Sequence, residues 1–140
     1  MGRVEFHDIA ALGGDLRSAV IALVRARHAA GERALVLAAS AVQAREIDAW
    51  LWDAGDDVFL PHAVGSADAA HVPIAIAAPG DAVPLQACVL NLRDDAVTPG
   101  AVDATGLVLE LIPVDDAGRQ AARQRWRAYT AAGTTPVKAS

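Results

Sequence analysis

The residues best placed to do chemistry stand in one stretch, Arg119 to Gly133, RQAARQRWRAYTAAG. On a helix, positions four, then three, then four apart share a face. Arg119, Arg123, Arg127 and Trp126 therefore project together, as a basic stripe containing an indole. A guanidinium is a planar fork that binds a carboxylate through two parallel hydrogen bonds. An indole beside it supplies an apolar wall. The charge distribution sharpens the point. Residues 117–140 carry four Arg, Lys138 and no acid, whereas residues 1–116 carry seven Arg against seventeen Asp and Glu, and the whole chain is −5. A solvated helix face is the competing reading. Such a face is normally laced with acids, and the stretch Arg119–Gly133 has none.

Other chemistries lack their residues. A phosphate loop needs Gly-x4-Gly-Lys-Ser/Thr, and the only lysine is Lys138. Gly13-Gly14 reads as a turn, not a nucleotide site. His7, His28, His62 and His71 have no Cys or His partner at metal-ligand spacing, so no metal is expected. Ser18, Ser40 and Ser66 lack a Gly-x-Ser-x-Gly context. The carboxylate pairs Asp56-Asp57, Asp94-Asp95 and Asp115-Asp116 fall in expected loops or at a helix start. Neither a cofactor nor a catalytic mechanism follows from these residues.

Composition sets the frame. A length of 140 residues suits one domain with a sizeable core. Apolar residues make up 54%, so most of the chain should fold, while aromatics are only 4%, which singles out the three Trp. No apolar run is long enough to span a bilayer. The opening MGRVEFHDIAAL lacks a basic region followed by a long apolar one, so no secretory leader is expected. A lone cysteine, Cys88, excludes an internal disulfide and fits a reducing, cytoplasmic setting; in its apolar run it reads as a buried, inert thiol. The acidic balance argues against nucleic-acid binding by the surface as a whole.

The elements that must hold the basic stripe alternate. Arg3–His7 reads as a strand, and Asp15 can cap a helix whose Leu16, Ala19, Val20, Leu23 and Val24 form one apolar face. Arg33–Ala38 is a strand covered on both faces. Ser40 caps a helix over Ala41–Trp52, with Trp50 and Trp52 on different sides. This is the start of an α/β sheet. Pro61 restricts any strand over Val58–His62 to an edge or to a short extended piece, and Val64–Ala70 is a loop. His71–Ala77 and Ala87–Leu92 are strands, Arg93–Gly100 is a loop or turn, and Leu107–Ile112 alternates as the last strand. Pro113 and Asp115-Asp116 then open the basic helix. The expected organisation is a single domain over 1–133 with a frayed tail over 134–140.

In order and spacing, VLAASAVQAREIDAWLW, VFLPH, HVPIAI, CVLNL, LELIPVD and RQAARQRWRAYTAAG resemble the chi subunit of bacterial DNA polymerase III. The most specific parts are Leu51-Trp52, Phe59-x-Pro61-His62, Asn91-Leu92 and the run Arg123–Gly133; the N-terminal region matches only by pattern. The resemblance implies a three-layer α/β/α fold with a mostly parallel sheet and nucleotide-binding-like topology lacking the phosphate loop. It implies a non-catalytic clamp-loader adaptor, which binds the acidic C-terminal tail of single-stranded-DNA-binding protein and pairs on its other side with the psi subunit. A helicase could use that other side. Carried over by position, the tail-binding residues are Trp52, Phe59, Ile112, Arg119, Arg123, Trp126 and Arg127. Trp126 replaces a tyrosine of the family, and Arg119 and Arg127 replace lysines. The tail ends in Pro-Phe with a free carboxylate. Arg123 is then expected on that carboxylate, with Trp52, Phe59 and Trp126 enclosing the terminal ring and Arg119 and Arg127 attracting upstream acids.

Two other readings remain beside this one. The basic helix could bind single-stranded nucleic acid directly, with Trp126 stacking on a base. The chain could also be a degenerate enzyme of the nucleotide-binding α/β class.

Overall fold

The computed structural model describes residues 2–54, 61–65 and 72–139. Strand β1 (Arg3–Asp8), helix α1 (Leu16–Ala29), strand β2 (Ala34–Leu37) and helix α2 (Ala41–Trp52) open the chain. Both helices begin on the caps that the sequence offers. Asp15 accepts the Ser18 amide at 2.7 Å, and Ser40 Oγ accepts the Gln43 amide at 3.0 Å. Each cap satisfies an amide that the first turn leaves without a partner. Strands β3 (His62–Val64), β4 (Ile74–Ala77) and β5 (Cys88–Asn91) follow, then helix α3 (Pro99–Thr105), strand β6 (Leu107–Ile112), helix α4 (Asp116–Ala131) and strand β7 (Val137–Lys138).

The strands form one sheet in the order β3-β4-β2-β5-β6-β1-β7, and every pairing among the described residues is parallel. Parallel neighbours need crossovers, and the helices supply them on both faces. Helices α1 and α2 bury Val20, Val24, Ile47 and Leu51 against Val36, Ile76, Leu90 and Leu109. Those four strand residues lie side by side in the register. Their sequence neighbours Leu35, Ala75, Val89 and Val108 also pair side by side, so they occupy the opposite face. On that face Val102 of α3 and Ala122 and Tyr129 of α4 cover Val4, Phe6 and Val108. The result is the expected α/β/α sandwich.

Four local readings change. Helix α3 begins inside the expected Arg93–Gly100 loop or turn, since seven residues beginning Pro-Gly are too few to show a helical period in the sequence. Its Pro99 serves where a first-turn amide would have no partner anyway. The Leu107–Ile112 strand does not alternate: it is covered on both faces, Glu110 included. It is also not the last strand. The tail expected to fray returns as β7, pairing with β1 at Glu5 and Phe6, and the Ala139 amide donates to the Phe6 carbonyl at 2.8 Å. Without it β1 would present an open edge. The edge strand expected over Val58–His62 is observed at His62–Val64, beyond Pro61; residues 58–60, most of the Val64–Ala70 loop and His71 lie outside the described residues.

Cys88 is fully buried in the α1/α2 face, and burial pushes its thiol pKa up to about 12. Because thiolate is the reactive form, modification by a thiol reagent at pH 8 is expected only through unfolding. A labelling rate that tracks the unfolded fraction across a denaturant series would bear this out; fast labelling of the native chain would refute it. Among the described residues no helix is long and apolar enough to cross a membrane.

Candidate functional site

Helix α4 starts immediately after β6. Asp115 caps it by accepting the Gly118 amide at 2.8 Å, and Asp116 lies in the first turn, where a negative charge suits the helix dipole. Gly118 allows the tight entry: a Cβ there would stand 2.6 Å from Cβ of Pro113. The helix turns Ala122, Arg125 and Tyr129 toward the sheet. That rotation leaves Arg119, Arg123 and Trp126 on the side facing β1 and the end of β6.

There they enclose a cleft of about 150 Å³ with Phe6, Ile112 and Ala122. The Trp126 and Phe6 ring centroids are 5.0 Å apart and tilted by 48°. Arg119 is half-buried and Arg123 exposed, so two guanidinium groups border a largely apolar hollow. Among the described residues neither has a carboxylate partner, and nor has Arg127. A second groove, lined by Asp116, Ala117, Gln120 and the same Arg119 and Arg123, adjoins the cleft. The arrangement offers charge-assisted donors to an anion and an aromatic-aliphatic pocket for a ring or short side chain.

The structure thus brings together four of the seven residues expected at the site: Ile112, Arg119, Arg123 and Trp126. Arg127 is on the exposed surface of the same helix and does not line the cleft. Trp52 does not join it either. Helix α2 lies on the other face of the sheet, toward β3 and β4, whereas α4 lies toward β6. Trp52 is 62% exposed there, with its ring 5.0 Å from that of His62. It is not among the residues that line the cleft beside Arg123. Phe59 lies outside the described residues. The aromatic wall expected from Trp52 is provided by Phe6 instead. The alternation of RVEFH puts Val4 and Phe6 on one face, but nothing local says that this face lies under α4.

Beneath α4 is a polar network that the sequence reading missed. Glu110 is fully buried on β6. Arg125 Nε donates to its Oε1 at 2.8 Å, while Tyr129 Oη and Asn91 Nδ2 donate to its Oε2 at 2.6 and 2.8 Å. Arg125 also reaches the Leu111 carbonyl at 3.3 Å. Tyr129 Oη accepts the Val97 amide at 3.0 Å, and Asn91 donates to the Asp95 carbonyl at 2.9 Å. Burial pushes the Glu110 carboxyl above its usual range, opposed by the Tyr129 hydroxyl, the Arg125 charge and the Asn91 amide. Tyr129 is pushed up as well, first by burial and then by the charge of Glu110.

The crevice at the carboxyl ends of the strands is where open α/β sheets commonly hold nucleotides. Here Ile9, Leu16, Leu92, Leu111 and Pro113 line much of it. The Arg93 guanidinium beside it is tied to the Ala38 and Ala77 carbonyls. Among the described residues no cluster of His, Cys, Asp and Glu could hold a metal ion.

Fold and cleft together define a parallel α/β/α domain with a small basic-and-aromatic recess between its last helix and the sheet. A model of the family described as DNA polymerase III chi subunit, HolC, matches residues 1–137. DNA polymerase III subunit chi of Pseudomonas aeruginosa is 31% identical over 137 residues, 95% of this chain and 92% of that one. The chain belongs to the DNA polymerase III chi subunit family. A chain in the structure of S. cerevisiae Dbp5 bound to Nup159, Gle1, IP6 and ADP is similar in fold alone: its TM-score is 0.60 at 9% identity, covering 99% of this chain and 42% of that one.

Proposed function

We propose that this chi-family chain is a non-catalytic adaptor that binds the acidic C-terminal tail of single-stranded-DNA-binding protein and links it, through a psi subunit or an equivalent partner, to the clamp loader. The observation that carries the reading is the cleft: two guanidinium groups without carboxylate partners among the described residues border a hollow walled by Phe6, Ile112 and Trp126. The terminal phenylalanine of the tail fits that hollow. Arg123 takes its carboxylate, Arg119 meets the acids just upstream, and Arg127 acts at longer range from the exposed side of α4. Phe6 and Ile112 gain apolar contact only when a side chain enters, which favours a ring-ended ligand over a bare anion.

The test is a titration of the intact protein with a peptide carrying the tail, with the same peptide lacking its last residue, and with short oligonucleotides. Saturable binding of the first alone supports the reading. Tight binding of oligonucleotides, with none of the peptide, would instead favour direct nucleic-acid binding through the basic helix.

The partner side of the adaptor is assigned to the surface around Trp52. A large aromatic that is 62% exposed, on the opposite face from the cleft, is a typical anchor for a second protein. Trp52→Ala is expected to leave tail affinity within roughly twofold, because distant sites behave additively. Its capture of the psi partner should weaken, measured by co-purification. Loss of tail binding in this variant would return Trp52 to the tail site.

A further inference from the structure

We propose that Arg125 and Tyr129 are positioning residues for the cleft, holding α4 to β6 through the single carboxylate of Glu110. For its effect on binding, this inference rests on the tail-binding reading; for the geometry it does not.

Three residues of α4 are buried toward the sheet, Ala122, Arg125 and Tyr129. Ala122 is too small to specify how the helix is rotated, and apolar packing is non-directional. Hydrogen bonds to Glu110 are directional, and both its oxygens are engaged, one by Arg125 and the other by Tyr129 and Asn91. Glu110 is two residues before Ile112 on the same strand, so the two point to the same face. Fixing Arg125 against Glu110 therefore fixes α4 against Ile112, a wall of the cleft. Trp126 follows Arg125 directly, and its 5.0 Å approach to Phe6 depends on the same rotation. A shift of one residue would swing the indole about 100° around the helix.

The frame is anchored from the other side as well. Asn91 also donates to Asp95, and Tyr129 Oη accepts from Val97, so the loop after β5 is tied to the same carboxylate. Stability alone gives this network no special advantage, since well-packed apolar residues in place of a buried ion pair are often neutral or stabilising. Fixing register is the best-attested use of such pairs.

Tyr129→Phe tests the inference, because it keeps the ring beside Phe6 and removes only the hydroxyl. Glu110→Leu combined with Arg125→Met is the second variant, chosen because it leaves no buried charge alone. The first readout needs no ligand: nuclear Overhauser contacts between the Trp126 indole and the Phe6 ring in the labelled intact chain. The second is affinity for the tail peptide in the wild type and in both variants. Weakened ring contacts and a several-fold loss of tail affinity, less than additive with Arg123→Ala, are the expected result. Ring contacts at wild-type strength in both variants overturn the positioning role, even if melting temperatures fall. Ring contacts that weaken in a protein whose wild type does not bind the tail leave the positioning role standing and remove the tail-binding reading.

Discussion

Arg125→Ala is expected to lower folding stability by about 3–5 kcal/mol, the usual consequence of removing one partner of a buried ion pair. Alanine at exposed Arg123 or Arg127 should change stability by under about 0.5 kcal/mol. The contrast follows from where the charges sit. Arg125 is 8% exposed, and its Glu110 partner is wholly inside. Without the guanidinium, Glu110 keeps hydrogen bonds from Tyr129 and Asn91 but no compensating charge. The pH dependence has a definite sign. Burial already raises the Glu110 carboxyl, and the Arg125 charge is one of the influences holding it down, so the variant should raise it further. A carboxyl raised on folding contributes stability fully below its unfolded pKa, about 4.3, and loses it as pH rises through the folded value. The deficit of Arg125→Ala should therefore shrink in mild acid and widen toward neutrality. Urea unfolding of wild type and variant at pH 4.5 and pH 7.5 measures it. A deficit that is small at both pH values, or larger at the lower, would mean that Glu110 is not stranded by the substitution.

The same network marks the boundary of what could be read from the chain. Helix starts were legible because caps are local: Asp15, Ser40 and Asp115 each bond an amide three residues on. The central strands were legible as apolar runs. Glu110 was not, because an acid in LVLELI reads as the outward member of an alternation. Only the arrival of α4 on that face makes it inward. Arg125 carried a signal of its own. Ala122, Arg125 and Tyr129 stand at helical spacing on one face, with an arginine where an apolar residue is expected. Read with the only acid in β6, that spacing predicts the buried pair. Phe6 is different in kind. Its strand is more than a hundred residues from α4 in sequence, and the β1–β6 neighbourhood that joins them is a fact of topology.

Trp52 shows the opposite failure. Its place in an ordered set of family-like segments carried it into the same site as Arg123, yet order along the chain does not say which face of a sheet an element covers. Two helices that follow strands in similar ways end on opposite sides here, because the chain first builds the sheet outward from β1 toward β3 and then returns to β7. A right-handed crossover changes face when the direction of travel reverses. The cleft residues that remained together, Arg119, Arg123 and Trp126, lie on one helix, with Ile112 just before it. Their proximity needed no topology to be known.

For Arg123→Ala the expected result is a loss of about 1.5–3 kcal/mol of tail binding, roughly 10- to 150-fold, the range for a hydrogen bond to a charged group. Arg123 is exposed and without a carboxylate partner among the described residues, so its removal should not disturb the empty fold. A peptide with an amidated C-terminus makes the assignment specific. Wild type should prefer the free carboxylate over the amide by a large factor, and Arg123→Ala should bind the two forms nearly alike. Arg119→Ala should weaken both forms in parallel, because its charge addresses acids upstream of the terminus, and added salt should reduce that effect. If Arg123→Ala keeps the wild-type preference for the carboxylate while Arg119→Ala abolishes it, the two guanidinium groups exchange roles. If neither variant alters the preference, the carboxylate is not bound at this cleft. The phenyl ring provides the internal control. Phe6, Ile112 and Trp126 remain in both variants, so residual binding should still fall when the terminal phenylalanine is replaced by alanine. A ring contribution that persists without the carboxylate preference would show that the pocket and its charged rim act as separable halves of one site.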